Sequence, residues 1–311
     1  MTRDSATPFG PVVVAVFGPT ASGKSAVAQA LAERIPAEIV SADAMQAYRG
    51  LPILTDQPDR PARLVGIWPL SHEGSVGEYA RLAQAAIDEI LEAGRTPIVA
   101  GGTGLYLRAA LAELGLPPAP GPGTRERWER LYARLGAERT HALLARRDPE
   151  AAAAVHPNDR RRVVRALELH DAGASLHPDR DRLWSEDMRR PTVVFALDVA
   201  RETLADRVDK RTREMFARGV EDEVRRALAG PVSATARRVI GLAEIARLPQ
   251  EEAIPAVVRR TLRYAAYQRK WLRRIPGVVM LAADRSPAAL AEEIVQTIRA
   301  RPRPGASGAS G

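Results

Sequence analysis

A glycine-rich segment near the start of the chain has the residue types and spacing to hold a string of phosphates. Residues 18–25 read Gly-Pro-Thr-Ala-Ser-Gly-Lys-Ser, which fits the pattern G-x-x-x-x-G-K-[ST]. Glycines let backbone N–H groups turn inward around phosphate oxygens, Lys24 can reach a β- or γ-phosphate, and the Ser25 hydroxyl can hold Mg²⁺. The chain is therefore predicted to bind a diphosphate or triphosphate.

The segments on either side of this phosphate loop support the same prediction. Val12–Phe17 is a short, mostly β-branched run, typical of a buried strand. After the loop, Val27, Leu31 and Ile35 recur at helical spacing, and Pro36 ends the helix. Strand, loop and helix are the context that the motif requires, and the helix N-terminus favours negative charge. The alternative is an accidental match in a tight turn.

An acid follows the second predicted strand. Glu38–Ala42 has strand character, and Asp43 comes directly after it. In open parallel sheets the carboxyl ends of the strands face the ligand, so we expect Asp43 near the phosphate loop. From the residues alone two roles compete: an acid that binds Mg²⁺ through water, and a base that takes a proton from an acceptor.

Two strand-like segments come after this acid. Arg63–Leu70 is predicted as an edge strand that Pro69 interrupts. Thr96–Ala100 is predicted as a third strand, followed by a Gly-Gly-Thr-Gly turn and a new helix. Thr103 in that turn can present its hydroxyl to the active cleft. A plain strand-to-helix turn is the alternative.

Composition and pattern divide the chain into four segments. Strand and helix patterns alternate up to residue 116 and return at residue 191, whereas the stretch between them has helical patterns only. Residues 117–123 are rich in proline and glycine and are predicted to be a linker. We predict a first part of an α/β core, a helical insertion, a second part of the core and a disordered tail, at 1–116, 117–190, 191–300 and 301–311.

Two basic stretches are possible RNA contacts. Within the insertion, Arg161 and Arg162 share a helix face with Arg165, an arrangement that suits phosphates. A solvated face paired with Glu168 and Asp159 is the alternative. Near the C-terminus, four residues recur at near-helical spacing and interleave with basic residues, namely Thr261, Tyr264, Tyr267 and Trp271, and the aromatic ones can stack on bases. The alternative there is aromatic packing toward the core with the arginines in solvent.

Composition limits the partners and the compartment. The formal net charge is +8 and the isoelectric point is about 10.3, which favours a polyanionic partner. There is no cysteine, which excludes disulfides and thiolate chemistry. The N-terminal residues lack the pattern of a signal peptide and no long apolar run is present, so we expect a cytoplasmic protein without a membrane partner.

Taken together and in order, these segments resemble the tRNA dimethylallyltransferase (tRNA isopentenyltransferase) family. The likeness runs from about residue 12 to residue 283 and rests on GPTASGKS, SADAMQAYRG, GRTPIVAGGTGLYLRA, PNDRRRVVRALE, RVDKRTREMFARGVEDEV and TLRYAAYQRKWLR. The resemblance implies a P-loop NTPase-like α/β core with a helical insertion that grips the anticodon stem-loop. It also implies transfer of a dimethylallyl group from its diphosphate to the exocyclic amine of the adenosine 3′ to the anticodon.

The resemblance implies roles for particular residues. Asp43 matches the family's base, Thr103 matches a threonine that contacts the target nucleotide, and Arg211 matches an arginine that stabilises the leaving diphosphate. The implied diphosphate contacts are Gly18, Thr20, Ala21, Ser22, Gly23, Lys24 and Ser25, the last also near Mg²⁺. The implied tRNA contacts are Asp43, Ala44, Met45, Gln46, Thr103, Arg125, Arg161, Arg162 and Arg165. We expect a monomer, and the alternative function is a P-loop small-molecule kinase with Asp43 as its metal acid.

The chain departs from the family pattern at several of these motifs. Ala44 stands where the family usually has serine, and Asp56-Gln57 replaces an alanine-lysine pair. Leu242 replaces a tyrosine, and Tyr267 stands where a basic residue is common. These changes concern the finer RNA contacts, because the phosphate loop and the acid are retained.

Overall fold

The computed structural model describes residues 10–114, 121, 123–176 and 187–301. The chain divides into two compact units, one formed by Met1–Ala112 with Glu186–Gly311 and the other by Glu113–Ser185. The predicted insertion, 117–190, overlaps the second unit. Most of the predicted linker 117–123, and all but the first residue of the predicted tail 301–311, lie outside the described residues.

A parallel sheet of five strands forms the centre of the first unit. All five residues of the first strand are buried, as its apolar sequence predicts. The spatial order is β2-β3-β1-β4-β5, so the strand that precedes the phosphate loop lies in the middle. The strands are β1 (Val13–Phe17), β2 (Ala37–Ser41), β3 (Thr96–Gly101), β4 (Thr192–Asp198) and β5 (Val279–Ala282).

Helices connect these strands and cover both faces of the sheet. Three belong to the first part of the core, α1 (Lys24–Ala32), α2 (Val76–Glu92) and α3 (Gly104–Leu111). Four form the second unit, α4 (Thr124–Leu135), α5 (Ala137–Arg147), α6 (Pro149–Ala154) and α7 (Arg160–Asp171). Five follow in the second part of the core, α8 (Arg201–Ala217), α9 (Val220–Leu228), α10 (Leu242–Arg247), α11 (Gln250–Leu272) and α12 (Pro287–Arg299).

The main core lies between the sheet and the helices α1 and α12. Val14 and Val16 of β1 point to this side and pack with Leu31 and Ile294, all of them inaccessible to solvent. Because side chains alternate along a strand, Val13, Ala15 and Phe17 face α2 and α3 on the other side. The central strand β1 is therefore buried on both faces, and its carboxyl end is left for the ligand.

The second unit has a core of its own. Trp128, Leu144, Val163 and Leu167 are buried together where α4, α5 and α7 meet. Val163 and Val164 turn inward on α7, as the helical spacing predicts. Burying these apolar side chains lets the segment fold as a separate helical layer of the chain.

The prediction of an edge strand over Arg63–Leu70 is wrong in its extent. Arg63 pairs with Val40 of β2, and Trp68 pairs with Tyr48, but these are isolated bridges. Leu64 and Gly66 between them have φ angles of +66° and +61°, which turn the chain out of an extended path. Pairing along the edge of β2 is therefore limited to a single residue.

Among the residues that the structure describes, no helix combines the length and the apolar character needed to cross a membrane.

Candidate active site

The phosphate loop joins the carboxyl end of β1 to the N-terminus of α1. Ala21 and Gly23 have φ angles of +61° and +93°, so the loop turns sharply before the helix begins at Lys24. A Cβ at Gly18 would lie 2.5 Å from the Ser22 hydroxyl oxygen, so a larger residue there would force Ser22 to shift. The Ser22 Oγ is buried and has no hydrogen-bond partner among the described residues.

Two cations and two carboxylates line one pocket beside this loop. Lys24, Asp43, Asp56 and Arg211 all reach it, and Ser25 contributes an exposed hydroxyl. Burial lowers the pKa of the Lys24 ammonium; the carboxylate of Asp43 opposes this effect, while Arg211 adds to it. The ligand-free pocket therefore holds positive charge at a cost, a property of sites that take an anion.

One wall of the same pocket is apolar. The side chains that form it come from the segment after β2, from the loop at residue 54, from α8 and from the region of α10 and α11. Phosphate-binding groups and a hydrocarbon wall therefore meet in a single pocket. The apolar lining residues are Met45, Leu54, Met215, Ile240 and Val257.

Arg211 on α8 is fixed against the phosphate loop. Its Nη2 donates to the Thr20 hydroxyl at 2.7 Å, and its Nη1 donates to Asp56 Oδ2 at 3.1 Å. Its Nε is buried and has no partner among the described residues. A buried N–H without an acceptor costs about 1–3 kcal/mol, a cost that an acceptor supplied by a ligand would remove.

Asp43 and Thr103 lie at the ends of the neighbouring strands β2 and β3. Asp43 Oδ1 accepts a hydrogen bond from the Met45 N–H at 2.9 Å, and Thr103 Oγ1 accepts one from the Ala44 N–H at 3.3 Å. Thr103 Oγ1 also lies 3.1 Å from the Tyr264 hydroxyl. Burial raises the pKa of Tyr264, and the negative charge of Asp43 adds to this, so the phenol keeps its proton at neutral pH.

The glycines around Thr103 allow close packing. A Cβ at Gly101 would lie 2.1 Å from the backbone oxygen of Ala42, and one at Gly104 would lie 2.2 Å from the Trp271 ring. The turn after β3 therefore fits against both β2 and α11. This packing gives a physical reason for the Gly-Gly-Thr-Gly pattern, beyond that of a plain turn.

Gln268 on α11 ties this turn to the phosphate loop. Its Oε1 accepts a hydrogen bond from the Thr20 N–H at 2.8 Å, and its Nε2 donates to the Gly102 oxygen at 2.9 Å. The side chain is buried. The sequence patterns did not identify this residue, although its place one turn after Tyr264 on a helix with an aromatic face was a usable signal.

The loop that carries Asp56 is held by a buried acid that the sequence patterns did not identify. Glu223 on α9 accepts hydrogen bonds from the Ile53 and Leu54 N–H groups, both at 2.8 Å. The side chain of Gln46 donates to the backbone oxygen of Asp56 at 2.8 Å. Gln46, predicted as an RNA contact, thus also supports the pocket wall.

The arginines predicted as RNA contacts in the second unit differ in their surroundings. Arg125 and Arg165 each lie 3.1 Å from the buried carboxylate of Glu168, whereas Arg161 and Arg162 are exposed. The pairing that the sequence offered as an alternative thus exists for Arg165. Contact of these four arginines with RNA stays a prediction.

The oxygen atoms near the loop fit a hard cation. Ser25 supplies a hydroxyl, and Asp43 and Asp56 supply carboxylates to the same pocket, which are ligand types that Mg²⁺ prefers. No group of three or more acidic or histidine side chains suited to a metal occurs in the described part of the chain. A cation bound beside Ser25 would therefore take its remaining ligands from a phosphate and from water.

The parallel sheet and the glycine loop at the end of its central strand define a protein with a P-loop NTPase-like fold. A family model described as IPP transferase matches residues 46–275, and one described as Isopentenyl transferase matches residues 11–62. The chain belongs to the tRNA dimethylallyltransferase family, as its motifs predicted.

Individual relatives agree with this assignment. The chain is 41% identical over 290 residues to the tRNA dimethylallyltransferase of Thermobifida fusca, covering 88% of this chain and 90% of that protein. It is 43% identical over 295 residues to that of Anaeromyxobacter dehalogenans, covering 91% and 98%. The crystal structure of the full-length tRNA isopentenylpyrophosphate transferase from Bacillus halodurans superposes with a TM-score of 0.65 at 31% identity, covering 93% and 97%.

Proposed function

We propose that this protein transfers a dimethylallyl group from dimethylallyl diphosphate to N6 of the adenosine 3′ to the anticodon of tRNA and releases diphosphate. The observation that carries the proposal is the pocket itself. It combines a phosphate loop, the cations Lys24 and Arg211, an apolar wall, and a carboxylate, Asp43, close to the Thr103 turn. A hydrocarbon wall beside a phosphate site favours an allylic diphosphate as the donor.

The donor takes its place through two kinds of contact. The diphosphate accepts hydrogen bonds from the loop N–H groups, and Lys24 and the free Nε–H of Arg211 bind its oxygens. Its negative charge raises the lowered pKa of Lys24 again, so the ammonium is stabilised when the donor binds. The five-carbon chain lies against the apolar wall that includes Leu54 and Met215.

The transfer exchanges one bond for another. The N6 lone pair of adenine attacks the C1 carbon of the allyl group while the C1–O bond breaks, and that bond's electron pair leaves with the diphosphate. Because the amine lone pair is delocalised into the ring, a base is required, and Asp43 takes the N6 proton. Lys24, Arg211 and the loop amides stabilise the negative charge that develops on the leaving group.

Mg²⁺ fits this site through Ser25, with the carboxylates of the pocket nearby. When bound, it supplies further positive charge beside the departing diphosphate. A direct test is calorimetric titration of the wild type and a Ser25→Ala variant with inorganic diphosphate, each with and without Mg²⁺. The wild type is expected to gain affinity with the metal and the variant to gain less.

The RNA is held by phosphate contacts from Arg125, Arg161, Arg162 and Arg165, and its acceptor adenine leaves the stack to reach Asp43 and Thr103. The enzyme is expected to act as a monomer, and light scattering of the purified protein measures this. The cytoplasm, where tRNA is processed and used, is the compartment that this activity requires.

The deciding experiment incubates the protein with radiolabelled dimethylallyl diphosphate and tRNA that lacks the modification. Label is expected in the RNA, and nucleoside mass spectrometry should find the added group on the adenosine next to the anticodon. A matched tRNA with guanosine at that position should stay unlabelled. Consumption of ATP without labelled RNA would instead indicate a small-molecule kinase.

A further inference from the structure

One exposed aromatic ring lies next to the residues that frame the acceptor site. Tyr267 on α11 is 55% exposed, the largest fraction among the exposed large hydrophobic side chains that the structure describes. Single exposed apolar residues are common on protein surfaces and by themselves mean little. The neighbours of this ring are what distinguish it.

Tyr267 is held by aromatic contacts on both sides. Its ring stacks with that of Tyr264 at a centroid distance of 6.5 Å and an interplanar angle of 24°. It also meets the Trp271 ring edge-on at 6.4 Å and 75°. Tyr264 in turn bonds Thr103 through its hydroxyl. The exposed ring is therefore held in place by its neighbours, and a single side chain, Tyr264, separates it from Thr103.

Two cations flank this ring on the same helix face. Arg263 lies four residues before Tyr267 and Lys270 three residues after it, and both are exposed. Neither has an acidic partner among the described residues, although other exposed arginines such as Arg213 and Arg225 are paired with an acid. An exposed ring between two unpaired cations is an arrangement that suits a single-stranded nucleic acid.

We infer that Tyr267 stacks on the nucleobase that neighbours the acceptor adenosine, while Arg263 and Lys270 contact the phosphates on either side. The inference rests on the proposed function and adds a residue that recognises the RNA. When the acceptor adenine leaves the stack, its neighbour loses a stacking partner, and a fixed aromatic ring replaces it. Tyr267 thus offsets part of the energy required to expose the adenine.

The test uses an RNA hairpin of the tRNA anticodon arm and variants at Tyr267. Since stacking on an aromatic residue contributes roughly 1–3 kcal/mol, Tyr267→Ala should weaken RNA binding about 5- to 150-fold in fluorescence anisotropy. Because this contact is made equally before and during reaction, kcat at saturating RNA and the KM for the donor should stay within about twofold. Tyr267→Phe and Tyr267→Trp should keep the affinity, whereas Tyr267→Leu should lose it.

A spectroscopic readout identifies the stacked base. 2-Aminopurine is placed on the 5′ side or the 3′ side of the acceptor adenosine, and its fluorescence at one of these positions should be quenched by the wild type and not by Tyr267→Ala. Arg263→Gln and Lys270→Gln should each reduce the slope of log affinity against log salt by about one. Met280→Ala, at a similarly exposed apolar residue on β5, is the control and should change none of these values.

The outcomes separate this inference from the function on which it rests. Equal RNA affinity of Tyr267→Ala and the wild type, or of Tyr267→Leu and Tyr267→Phe, would overturn the stacking role while wild-type prenyl transfer to the hairpin continues. Failure of the wild type to prenylate a hairpin that it binds would overturn the proposed function instead.

Discussion

Lys24 and Arg211 bring two positive charges into a pocket that shields them from water, and Asp43 and Asp56 neutralise them in the absence of ligand. Arg211 is bonded to Asp56 and to Thr20, while its Nε remains without a partner among the described residues. At the scale of single residues, the site is prepared for an anion before one arrives. This arrangement lowers the stability of the folded protein. It favours a faster reaction, because charges that are already in place need not reorganise during the reaction.

The role of Asp43 as a base is tested by removing its carboxylate. Asp43→Ala should lower kcat by a factor of about 10²–10⁴ and leave donor affinity nearly unchanged, because a base acts only in the transition state. Single-turnover rates and calorimetric titration with a donor analogue measure the two quantities. Asp56→Ala, which removes the other carboxylate of the pocket, is the matched control and should affect the donor site more than the proton transfer. Loss of donor affinity in Asp43→Ala would indicate a metal ligand.

The charge of Lys24 is expected to destabilise the ligand-free protein. Because burial lowers the pKa of Lys24, the folded state binds this proton less readily than the unfolded chain does. Stability is therefore reduced at neutral pH and rises as the pH moves from the folded-state pKa toward 10.5. Lys24→Met should raise Tm by about 2 °C in phosphate-free buffer at pH 7.

The Tm of the wild type and of Lys24→Met is also measured with inorganic diphosphate present. Adding inorganic diphosphate should raise the Tm of the wild type well above that of Lys24→Met, since the ligand pairs with the ammonium. A variant that melts below the wild type without ligand would mean that the pairing of Lys24 with Asp43 outweighs the cost of burial.

At the scale of elements, α11 organises the site. Its Tyr264 bonds Thr103 in the turn after β3, and its Gln268 bonds the phosphate loop. Its Trp271 packs against Gly104. The turn after β3 is glycine-rich because it is enclosed between β2 and this helix. A rigid helix placed across two loops holds them at a fixed separation, which transfer between two substrates requires.

Two glycine substitutions of the same kind should have opposite effects on stability. Gly104→Ala places a Cβ 2.2 Å from the Trp271 ring and should lower Tm by several degrees and reduce activity. Gly77→Ala, near the start of α2, meets nothing within 4 Å and should raise Tm slightly, because alanine favours the helix by about 0.5–1 kcal/mol. Thermal denaturation measures both. Equal Tm values would show that Trp271 moves aside without cost.

The sequence predicted the local elements of this site and missed the contacts that join them. The strand, the phosphate loop and the helix after it follow from neighbouring residues, and so do the places of Asp43 and Thr103 at strand ends. The hydrogen bonds made by Gln268, Glu223 and Asp56 do not follow from neighbouring residues. They link residues that are separated by 248, 169 and 155 positions respectively. Such pairings depend on how the helices pack, which no local pattern encodes.

At the scale of the whole molecule, the chain contains a separate helical unit, Glu113–Ser185. Its core of Trp128, Val163 and Leu167 is independent of the sheet, and its exposed arginines at the start of α7 face solvent. The net charge of +8 agrees with a polyanionic substrate. Under the proposed function, this unit binds RNA while the other unit carries out the transfer.

The RNA-binding role of the second unit is tested by its exposed arginines. A variant with Arg161→Ala and Arg162→Ala should bind tRNA more weakly and lower the salt slope by about two, because each arginine neutralises one phosphate. Donor affinity should not change. Arg139→Ala on α5 removes the same kind of exposed charge and is the control. An unchanged slope in the double variant would assign these arginines to a merely solvated face.

The bond between Gln268 and Thr20 also has a consequence for the order in which the protein is made. The side chain that fixes the phosphate loop is synthesised 248 residues after the loop itself. A nascent or prematurely terminated chain that ends before α11 therefore carries the complete glycine motif without the bond that holds it in shape. An anion in the cell would meet the completed phosphate site only after α11 has been translated and has packed against the loop.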